Sequence, residues 1–195
     1  MSVSRETDMA LRDFAKLLLA ENERQNLISR RSADELWTRH IDDSLQLLDH
    51  APADGRWLDI GSGPGLPGIV LAIAGVGHIT LVEPRRLRTE FLERCRDELR
   101  LANVTIVTGK AEQLKGRFDV VTARAVATLD KLFAIGTPLI APEGRWVLPK
   151  GRSAEKELVE ARATWQGDFQ LKTSRTDPDA RILVAEQVRR RMGRE

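Results

Sequence analysis

The feature that most constrains the fold of this chain is a glycine-rich stretch at Trp57–Leu71, which lies between two apolar runs. This order of a short apolar run, a loop and a second apolar run predicts a β-strand, a tight turn and an α-helix. Glycines permit positive φ angles and let a ligand lie directly against the backbone. The first turn of a helix adds unpaired N–H groups and a partial positive charge. We therefore predict a cradle for a nucleotide or a related cofactor, formed by Gly61, Gly63, Gly65 and Gly68.

Two cofactors, NAD and S-adenosylmethionine, compete for such a loop. The spacing G-x-G-x-x-G begins at Gly63, and Glu83 follows where an NAD site holds its ribose. Asp59, however, lies two residues before the first glycine, Gly61. A carboxylate there repels the pyrophosphate of NAD, whereas it attracts the ammonium and sulfonium groups of S-adenosylmethionine. The loop therefore favours S-adenosylmethionine, although a turn without any ligand is the simplest alternative.

The composition indicates one soluble α/β unit. The chain has 195 residues, of which 42% are hydrophobic and 31% charged, and its formal net charge of +2 does not by itself indicate a nucleic-acid partner. The single cysteine, Cys95, excludes an intramolecular disulfide and a cysteine-rich zinc site. The sequence shows neither a signal peptide nor a long apolar run, so we expect a cytoplasmic protein that binds no membrane and no metal.

Hydrophobic periodicity predicts two helices before the glycine loop. Apolar residues recur every three or four positions over residues 5–21, which is the pattern of one buried helix face. Ser32–Glu35 has the form of a capping box, which predicts that a second helix begins there and runs to about Asp49. We therefore predict a helical N-terminal cap over residues 1–52.

The rest of the chain, residues 53–195, alternates between short apolar runs and helical patterns, which predicts a parallel sheet with crossover helices. The last two strands, near 168–173 and 181–189, are joined by a loop, so we expect one of them to run antiparallel. The expected α/β core is a mostly parallel seven-stranded sheet with a terminal antiparallel hairpin. Its first five strands are predicted at 57–60, 79–83, 104–107, 118–123 and 144–148.

Polar residues follow most of these strands. Ligands of parallel sheets bind beyond the carboxyl ends of the strands. Several polar residues at one edge indicate a site more strongly than any single motif does. In this chain that edge carries Asp59, Glu83, the loop 109–112, Arg124 and Lys150.

Three segments of the chain resemble the RsmG (GidB) family of bacterial 16S ribosomal RNA guanine-N7 methyltransferases. They are Arg39–Ser44, Asp59–Gly68 and Thr122–Ala127, in this order and at the spacing of that family. The glycine loop is shared with many methyltransferases, whereas the other two segments are more specific. The resemblance implies a Rossmann-like S-adenosylmethionine-dependent methyltransferase fold. It also implies methyl transfer to N7 of a specific guanine in small-subunit ribosomal RNA or a ribosomal particle, by a monomer.

The resemblance also implies which residues bind the cofactor. Gly61 and Leu66 would hold it in the loop, and Ala111 and Glu112 would line the adenine pocket. Arg124 would lie beside both cofactor and substrate and position the substrate, while an ion pair with Glu112 is its structural alternative. Glu83 stands where methyltransferases hold the ribose, although this family often has Asp at that position.

The remaining candidates concern RNA. His40 is a candidate catalytic residue, with a structural role between the cap and the sheet as the alternative. Arg39 and Ser44 are candidate RNA contacts that would otherwise only fix the cap. Lys150 is a further candidate RNA contact, although Pro149 before it departs from the Leu-Lys-Gly pattern of the family.

The chemistry of the implied reaction suits a chain without a conspicuous acid–base pair. Guanine N7 has an in-plane lone pair and no proton to lose, so aligning the reactants and excluding water can supply most of the catalysis. Other functions stay open at this point. They are a methyltransferase that acts on a small molecule or a protein, a non-catalytic nucleotide-binding domain and an NAD-dependent oxidoreductase.

Overall fold

A seven-stranded sheet forms the centre of the computed structural model, which describes residues 3–191. The strands are β1 Arg56–Ile60, β2 His78–Glu83, β3 Val104–Thr108, β4 Phe118–Thr122, β5 Ile140–Lys150, β6 Trp165–Thr173 and β7 Arg181–Arg190. Their order is β3-β2-β1-β4-β5-β7-β6. The first five strands are parallel, whereas β7 is antiparallel to both of its neighbours. The predicted mostly parallel sheet with a terminal antiparallel hairpin is confirmed.

Helices cover both faces of this sheet. Trp57 belongs to the hydrophobic cluster on one face and its neighbour Leu58 to the cluster on the other, because successive side chains of a strand point in opposite directions. Strands buried on both faces therefore appear as unbroken apolar runs in the sequence. The helices are α1 Arg5–Gln25, α2 Arg30–Asp34, α3 Asp43–Leu45, α4 Gly68–Ile73, α5 Arg86–Glu98, α6 Leu129–Gly136 and α7 Ala154–Thr164.

The second predicted helix differs from the expectation. It begins at Arg30, because the hydroxyl of Ser29 caps it by accepting a hydrogen bond from Ser32 N–H at 3.2 Å. The predicted start within Ser32–Glu35 is therefore wrong. The segment that follows is a π-helix at Trp37–Asp42, then α3 and a 3₁₀-helix at Gln46–Asp49, rather than one regular helix.

Two strands also begin earlier than predicted. β5 starts at Ile140, where it pairs with β4, and β6 starts at Trp165, where it pairs with the end of β7. Trp165 is buried and lies edge-on to Phe133 of α6, so aromatic packing holds this end of the hairpin on the sheet.

The N-terminal segment packs into the same core as the sheet. Leu11, Phe14 and Leu18 of α1 are fully buried in one cluster with residues of α4 and α5. Glu21 near the end of α1 forms an ion pair with Arg94 of α5. The outer ends of the predicted cap and core, residues 1–2 and 192–195, lie outside the described residues. None of the helices within the described part of the chain combines the length and apolar character needed to cross a bilayer.

Replacing Phe14 by alanine tests whether α1 folds together with the sheet. We expect Phe14→Ala to lower the free energy of unfolding by about 3–5 kcal/mol, because it leaves a cavity in a packed core. Urea denaturation followed by circular dichroism measures the change. Met9→Ala on the same helix removes a side chain that is 56% exposed, and it should change stability by less than about 0.5 kcal/mol. Equal and small effects of both substitutions would show that α1 is not part of the cooperative core.

Candidate active site

The glycine loop leaves β1 at the carboxyl edge of the sheet. Gly61, Gly63 and Gly65 have φ angles of +69°, +51° and +85°, in the region that favours glycine. A Cβ atom at Gly61 would lie only 2.7 Å from Val126 Cγ2, so the segment after β4 lies directly over the loop. Leu66 is buried beneath the loop with 3% of its surface exposed. The loop is therefore covered by Val126 at Gly61 and fixed on the core by the side chain of Leu66.

Glu83 lies at the end of β2, beside this loop. Its Oε2 accepts a hydrogen bond from Gly63 N–H at 3.0 Å, and its Oε1 accepts one from Arg85 N–H at 3.0 Å. Arg88 Nη1 lies 3.8 Å from Oε2. The buried carboxylate thus ties the glycine loop to the start of α5. Each carboxylate oxygen retains a further lone pair, so the predicted contact with ribose hydroxyls stays chemically possible.

Asp59 is the most perturbed carboxyl group of the site. It is fully buried, and its Oδ2 accepts a hydrogen bond from Gly68 N–H at 3.2 Å, at the start of α4. Its Oδ1 is also buried and has no hydrogen-bond partner among residues 3–191. Burial raises the pKa of Asp59 to about 7, even though Gly68 N–H and the charge of Arg124 act in the opposite direction. An orphaned carboxyl oxygen of this kind suits a cationic ligand group.

The two residues expected at the adenine lie in a 3₁₀ turn, Ala111–Gln113, after β3. Ala111 is buried and Glu112 is exposed. Gly109 N–H, just before this turn, donates to the carbonyl of Glu83 at 3.1 Å. The turn therefore stands beside the end of β2, as a wall for an adenine on the ribose side of the loop would require.

A cleft of about 900 Å³ opens over the ends of β4 and β5. Most of its lining residues come from four segments: the π-helix, the loop after β4, the turn after β5 and the loop 174–180 of the terminal hairpin. Four predicted site residues that are far apart in the sequence meet along this cleft, namely Arg39, His40, Arg124 and Lys150.

Arg124 lies at the junction of the cleft and the glycine loop. Its side chain is 17% exposed, and Nη1 lies 3.6 Å from Asp43 Oδ2. Nη1 also donates a hydrogen bond to the carbonyl of Arg39 at 3.3 Å. Burial lowers the pKa of Arg124, and the charges of Asp43 and Asp59 oppose this shift. The ion-pair partner of Arg124 is thus Asp43 and not Glu112.

His40 is held in its neutral form. It is 9% exposed, and neither ring nitrogen has a hydrogen-bond partner among the described residues. Burial, together with the charges of Arg124 and Arg39, lowers the pKa of His40 to about 4. A histidine of such low basicity is a poor general base near neutral pH, so the geometry favours the uncharged hydrogen-bonding role over proton transfer.

The residues expected to contact RNA differ in how they are exposed. Arg39 is exposed and forms an ion pair with Glu35. Ser44 is buried and donates its hydroxyl hydrogen bond to the carbonyl of His40 at 2.6 Å, which favours the alternative that it only fixes the cap. Lys150 Nζ donates to the carbonyl of Ala127 at 2.9 Å and to Glu157 at 2.9 Å. Lys150 therefore fixes the loop after β4, besides lining the cleft.

Sequence reasoning gave no role to a polar network behind Arg124. Asp43 Oδ1 accepts hydrogen bonds from the Thr176 hydroxyl at 2.8 Å and from the Gln46 side-chain amide at 2.8 Å. Asp43 lies within Arg39–Ser44, one of the segments that resemble the family, and this is the only sequence feature that indicated a role for it. Thr176 lies in a hairpin loop without any motif, and only the fold brings it to the cleft.

Solved structures with similar folds define the class of protein. One is TYW2 from M. jannaschii in complex with AdoMet, with a TM-score of 0.57, 13% identity and coverage of 78% of this chain and 76% of that chain. Another is precorrin-6y C5,15-methyltransferase from Geobacter metallireducens GS-15, with a TM-score of 0.57, 18% identity and coverage of 84% and 92%. The sheet order and the glycine loop after β1 are those of a Rossmann-like, S-adenosylmethionine-dependent methyltransferase fold.

The chain belongs to the GidB family, rRNA small subunit methyltransferase G, whose model matches residues 7–180. Ribosomal RNA small subunit methyltransferase G of Zymomonas mobilis is 44% identical, over 96% of this chain and 89% of the relative. The enzyme of the same description from Gluconobacter oxydans is 39% identical, over 97% of this chain and 98% of the relative. The predicted family and its S-adenosylmethionine cofactor are confirmed.

The site fits this cofactor on its own chemistry. The orphaned Oδ1 of Asp59 suits the ammonium group, and the glycine loop leaves β1 directly after this carboxyl group. Glu83 and the turn at Ala111–Gln113 lie at the ends of the neighbouring strands β2 and β3. We infer that these residues would hold S-adenosylmethionine, which would supply the methyl group.

The raised pKa of Asp59 predicts a pH dependence of cofactor binding. Affinity for S-adenosylhomocysteine should rise as the pH is raised from about 6 to 8, because Asp59 loses its proton over this range and then attracts the ammonium group. Asp59→Asn should remove this dependence and weaken binding at pH 8 by about 10- to 100-fold. Isothermal titration calorimetry measures both effects, with Asp168→Asn on the exposed face of β6 as the control. Equal wild-type affinity at both pH values would contradict the role of Asp59.

Proposed function

We propose that this protein transfers a methyl group from S-adenosylmethionine to N7 of a specific guanine in 16S ribosomal RNA. The observation that carries the proposal is the cleft beside the glycine loop. It joins the segments Arg39–Ser44 and Thr122–Ala127, which mark the family, at the carboxyl edge of the sheet. The names of the relatives, which specify small-subunit ribosomal RNA, support the same substrate.

The residues of the cleft suit a reaction that needs no general base. Bound S-adenosylmethionine supplies a methyl group on a positively charged sulfur, which is already a good leaving group. Guanine N7 offers a lone pair and carries no proton, so the protein has to align the two reactants and exclude water. The neutral, weakly basic His40 and the largely buried Arg124 are consistent with positioning of the base rather than with proton transfer.

Recognition of a base in this cleft favours an unpaired or extruded nucleotide. A base inside a duplex does not expose its Watson–Crick edge to a pocket, whereas a loop or splayed nucleotide does. Exposed arginines at the rim, Arg39 and Arg152, can contact the flanking phosphates. We infer that the enzyme acts as a monomer in the cytoplasm, on folded small-subunit RNA or on a ribosomal particle.

Methylation of RNA from cells that lack this enzyme tests the proposal. Small ribosomal subunits and their extracted 16S RNA, both from a deletion strain, are incubated with the protein and methyl-labelled S-adenosylmethionine. We expect one labelled 7-methylguanosine per RNA, located by nuclease digestion and mass spectrometry. The same RNA from the parent strain is the control, because its target is already methylated. Label only in protein or in small molecules would refute the RNA substrate.

A second prediction concerns the pH profile of turnover. At saturating RNA and cofactor, kcat should be nearly constant from about pH 6 to 8, because His40 is already neutral there and N7 needs no deprotonation. Single-turnover methylation at several pH values measures this profile. The opposite result is a rate that rises about tenfold per pH unit and becomes flat in His40→Gln. Such behaviour would identify His40 as a base after all.

A further inference from the structure

Asp43 and Arg124 approach each other in the cleft from two separate parts of the chain. Asp43 is the first residue of α3, directly after the π-helix, and Arg124 follows the end of β4. Their side chains are 18% and 17% exposed, and both line the cleft. The distance of 3.6 Å between Asp43 Oδ2 and Arg124 Nη1 is that of an ion pair without a short hydrogen bond.

The polar network behind Asp43 engages only one of its two carboxylate oxygens. Oδ1 accepts both the Thr176 hydroxyl and the Gln46 amide. Gln46 is itself buried and fixed, since its Oε1 accepts Arg175 N–H at 2.8 Å. Within residues 3–191, Oδ2 accepts no hydrogen bond. The carboxylate is therefore held rigidly by one oxygen while the other keeps its acceptor capacity.

Arg124 also has unused hydrogen-bonding capacity. A guanidinium group carries five N–H donors. Among the described residues, Arg124 donates one hydrogen bond, to the carbonyl of Arg39. Asp43 and Arg124 are thus a partly buried acceptor and donor, side by side, that both have unused hydrogen-bonding capacity. A polar ligand with the opposite donor and acceptor could form hydrogen bonds with both groups.

The pair matches the Watson–Crick edge of guanine. That edge presents the acceptor O6 beside the donors N1–H and N2–H₂, which is the reverse of the donor and acceptor that Arg124 and Asp43 offer. We propose that Asp43 is a specificity-determining residue, whose free oxygen Oδ2 accepts hydrogen bonds from N1–H and N2–H₂ of the target guanine while Arg124 donates to O6. Adenine presents an acceptor at N1 and is rejected. This inference rests on the proposed function.

The same contact favours the transition state over the ground state. The N7 lone pair forms the new bond to the methyl carbon as the carbon–sulfur bond breaks, and the electron pair of that bond remains on sulfur. Positive charge thus moves from the sulfonium to the guanine ring. A carboxylate at N1–H and N2–H₂ is attracted more strongly to the ring as this charge develops. Asp43 therefore contributes to kcat as well as to the choice of base.

The variant Asp43→Asn separates recognition of the guanine from a purely structural role. Thr176 and Gln46 both donate toward the Oδ1 position, so the carbonyl oxygen of the new amide takes that side. Its NH₂ group then replaces Oδ2 in the cleft, where it opposes the donors of guanine. Asp34→Asn makes the same charge change on the exposed surface of α2 and serves as the control.

The experiment uses 16S RNA in small subunits, assembled by ligation with either guanosine or inosine at the methylated position. Inosine keeps O6, N1–H and N7 and lacks only the N2 amino group. We expect the wild-type enzyme and Asp34→Asn to prefer guanosine by about 10-fold in kcat/KM. Asp43→Asn should lower kcat by about 10- to 100-fold and reduce this preference to about 2-fold or less.

Three outcomes would overturn the inference. Wild-type activity in Asp43→Asn would remove any role for Asp43. A slower Asp43→Asn enzyme with the wild-type preference for guanosine would limit Asp43 to holding Arg124. Absence of 7-methylguanosine with the wild-type enzyme would refute the proposed function, and this inference with it.

A second pair of variants covers the case in which Asp43→Asn does not fold, which thermal unfolding and S-adenosylhomocysteine binding would reveal. Thr176→Val removes the hydroxyl that anchors Oδ1 and keeps the shape of the side chain, whereas Thr176→Ser keeps the hydroxyl. We expect Thr176→Val to lower kcat and the preference for guanosine several-fold and Thr176→Ser to restore both. The inference fails if the two Thr176 variants behave alike.

Discussion

The site depends on two buried carboxylates that accept hydrogen bonds from the backbone of the glycine loop. Asp59 accepts Gly68 N–H at the start of α4, and Glu83 accepts Gly63 N–H from the neighbouring strand. A loop with three positive φ angles has no repeating hydrogen-bond pattern of its own, so these contacts fix its course. The second oxygen of Asp59 is buried and has no hydrogen-bond partner among the described residues, so a cationic cofactor group would offset the desolvation of this carboxyl group.

Much of the fold could be predicted from the sequence because its strands are buried on both faces. A short apolar run followed by an acidic residue, such as Asp59 or Glu83, predicts a buried strand. It also predicts that the acidic residue lies at the carboxyl edge of the sheet, where ligands bind. The early start of β6 at Trp165 was not predictable in the same way, because it depends on pairing with β7 and on packing against Phe133. Local sequence patterns predict the central residues of a helix or strand, whereas tertiary contacts determine where the helix or strand begins and ends.

The cleft was less predictable than the cofactor loop, for a physical reason. The π-helix Trp37–Asp42 changes which side chains share a face, and its apolar spacing alone predicts a regular helix. The sequence left two roles open for Ser44, and only the structure shows that it is buried and that its hydroxyl donates to the carbonyl of His40. Thr176 reaches Asp43 only through the folding of the terminal hairpin over the cleft. Thr176 and Asp43 are 133 positions apart, and no local sequence pattern predicts a contact over that separation.

The charged groups around Arg124 suit the transfer of a methyl group to a neutral base. The reaction moves one positive charge from sulfur to the guanine ring without changing the total, so an anionic group is useful near each end of the path. Asp43 lines the cleft and Asp59 does not, and the charges of both oppose the effect of burial on the pKa of Arg124. Arg124 in turn reduces the repulsion between the two carboxylates. Burial and the charges of Arg124 and Arg39 keep His40 neutral, so this side chain adds no further positive charge near the ring as the ring becomes cationic.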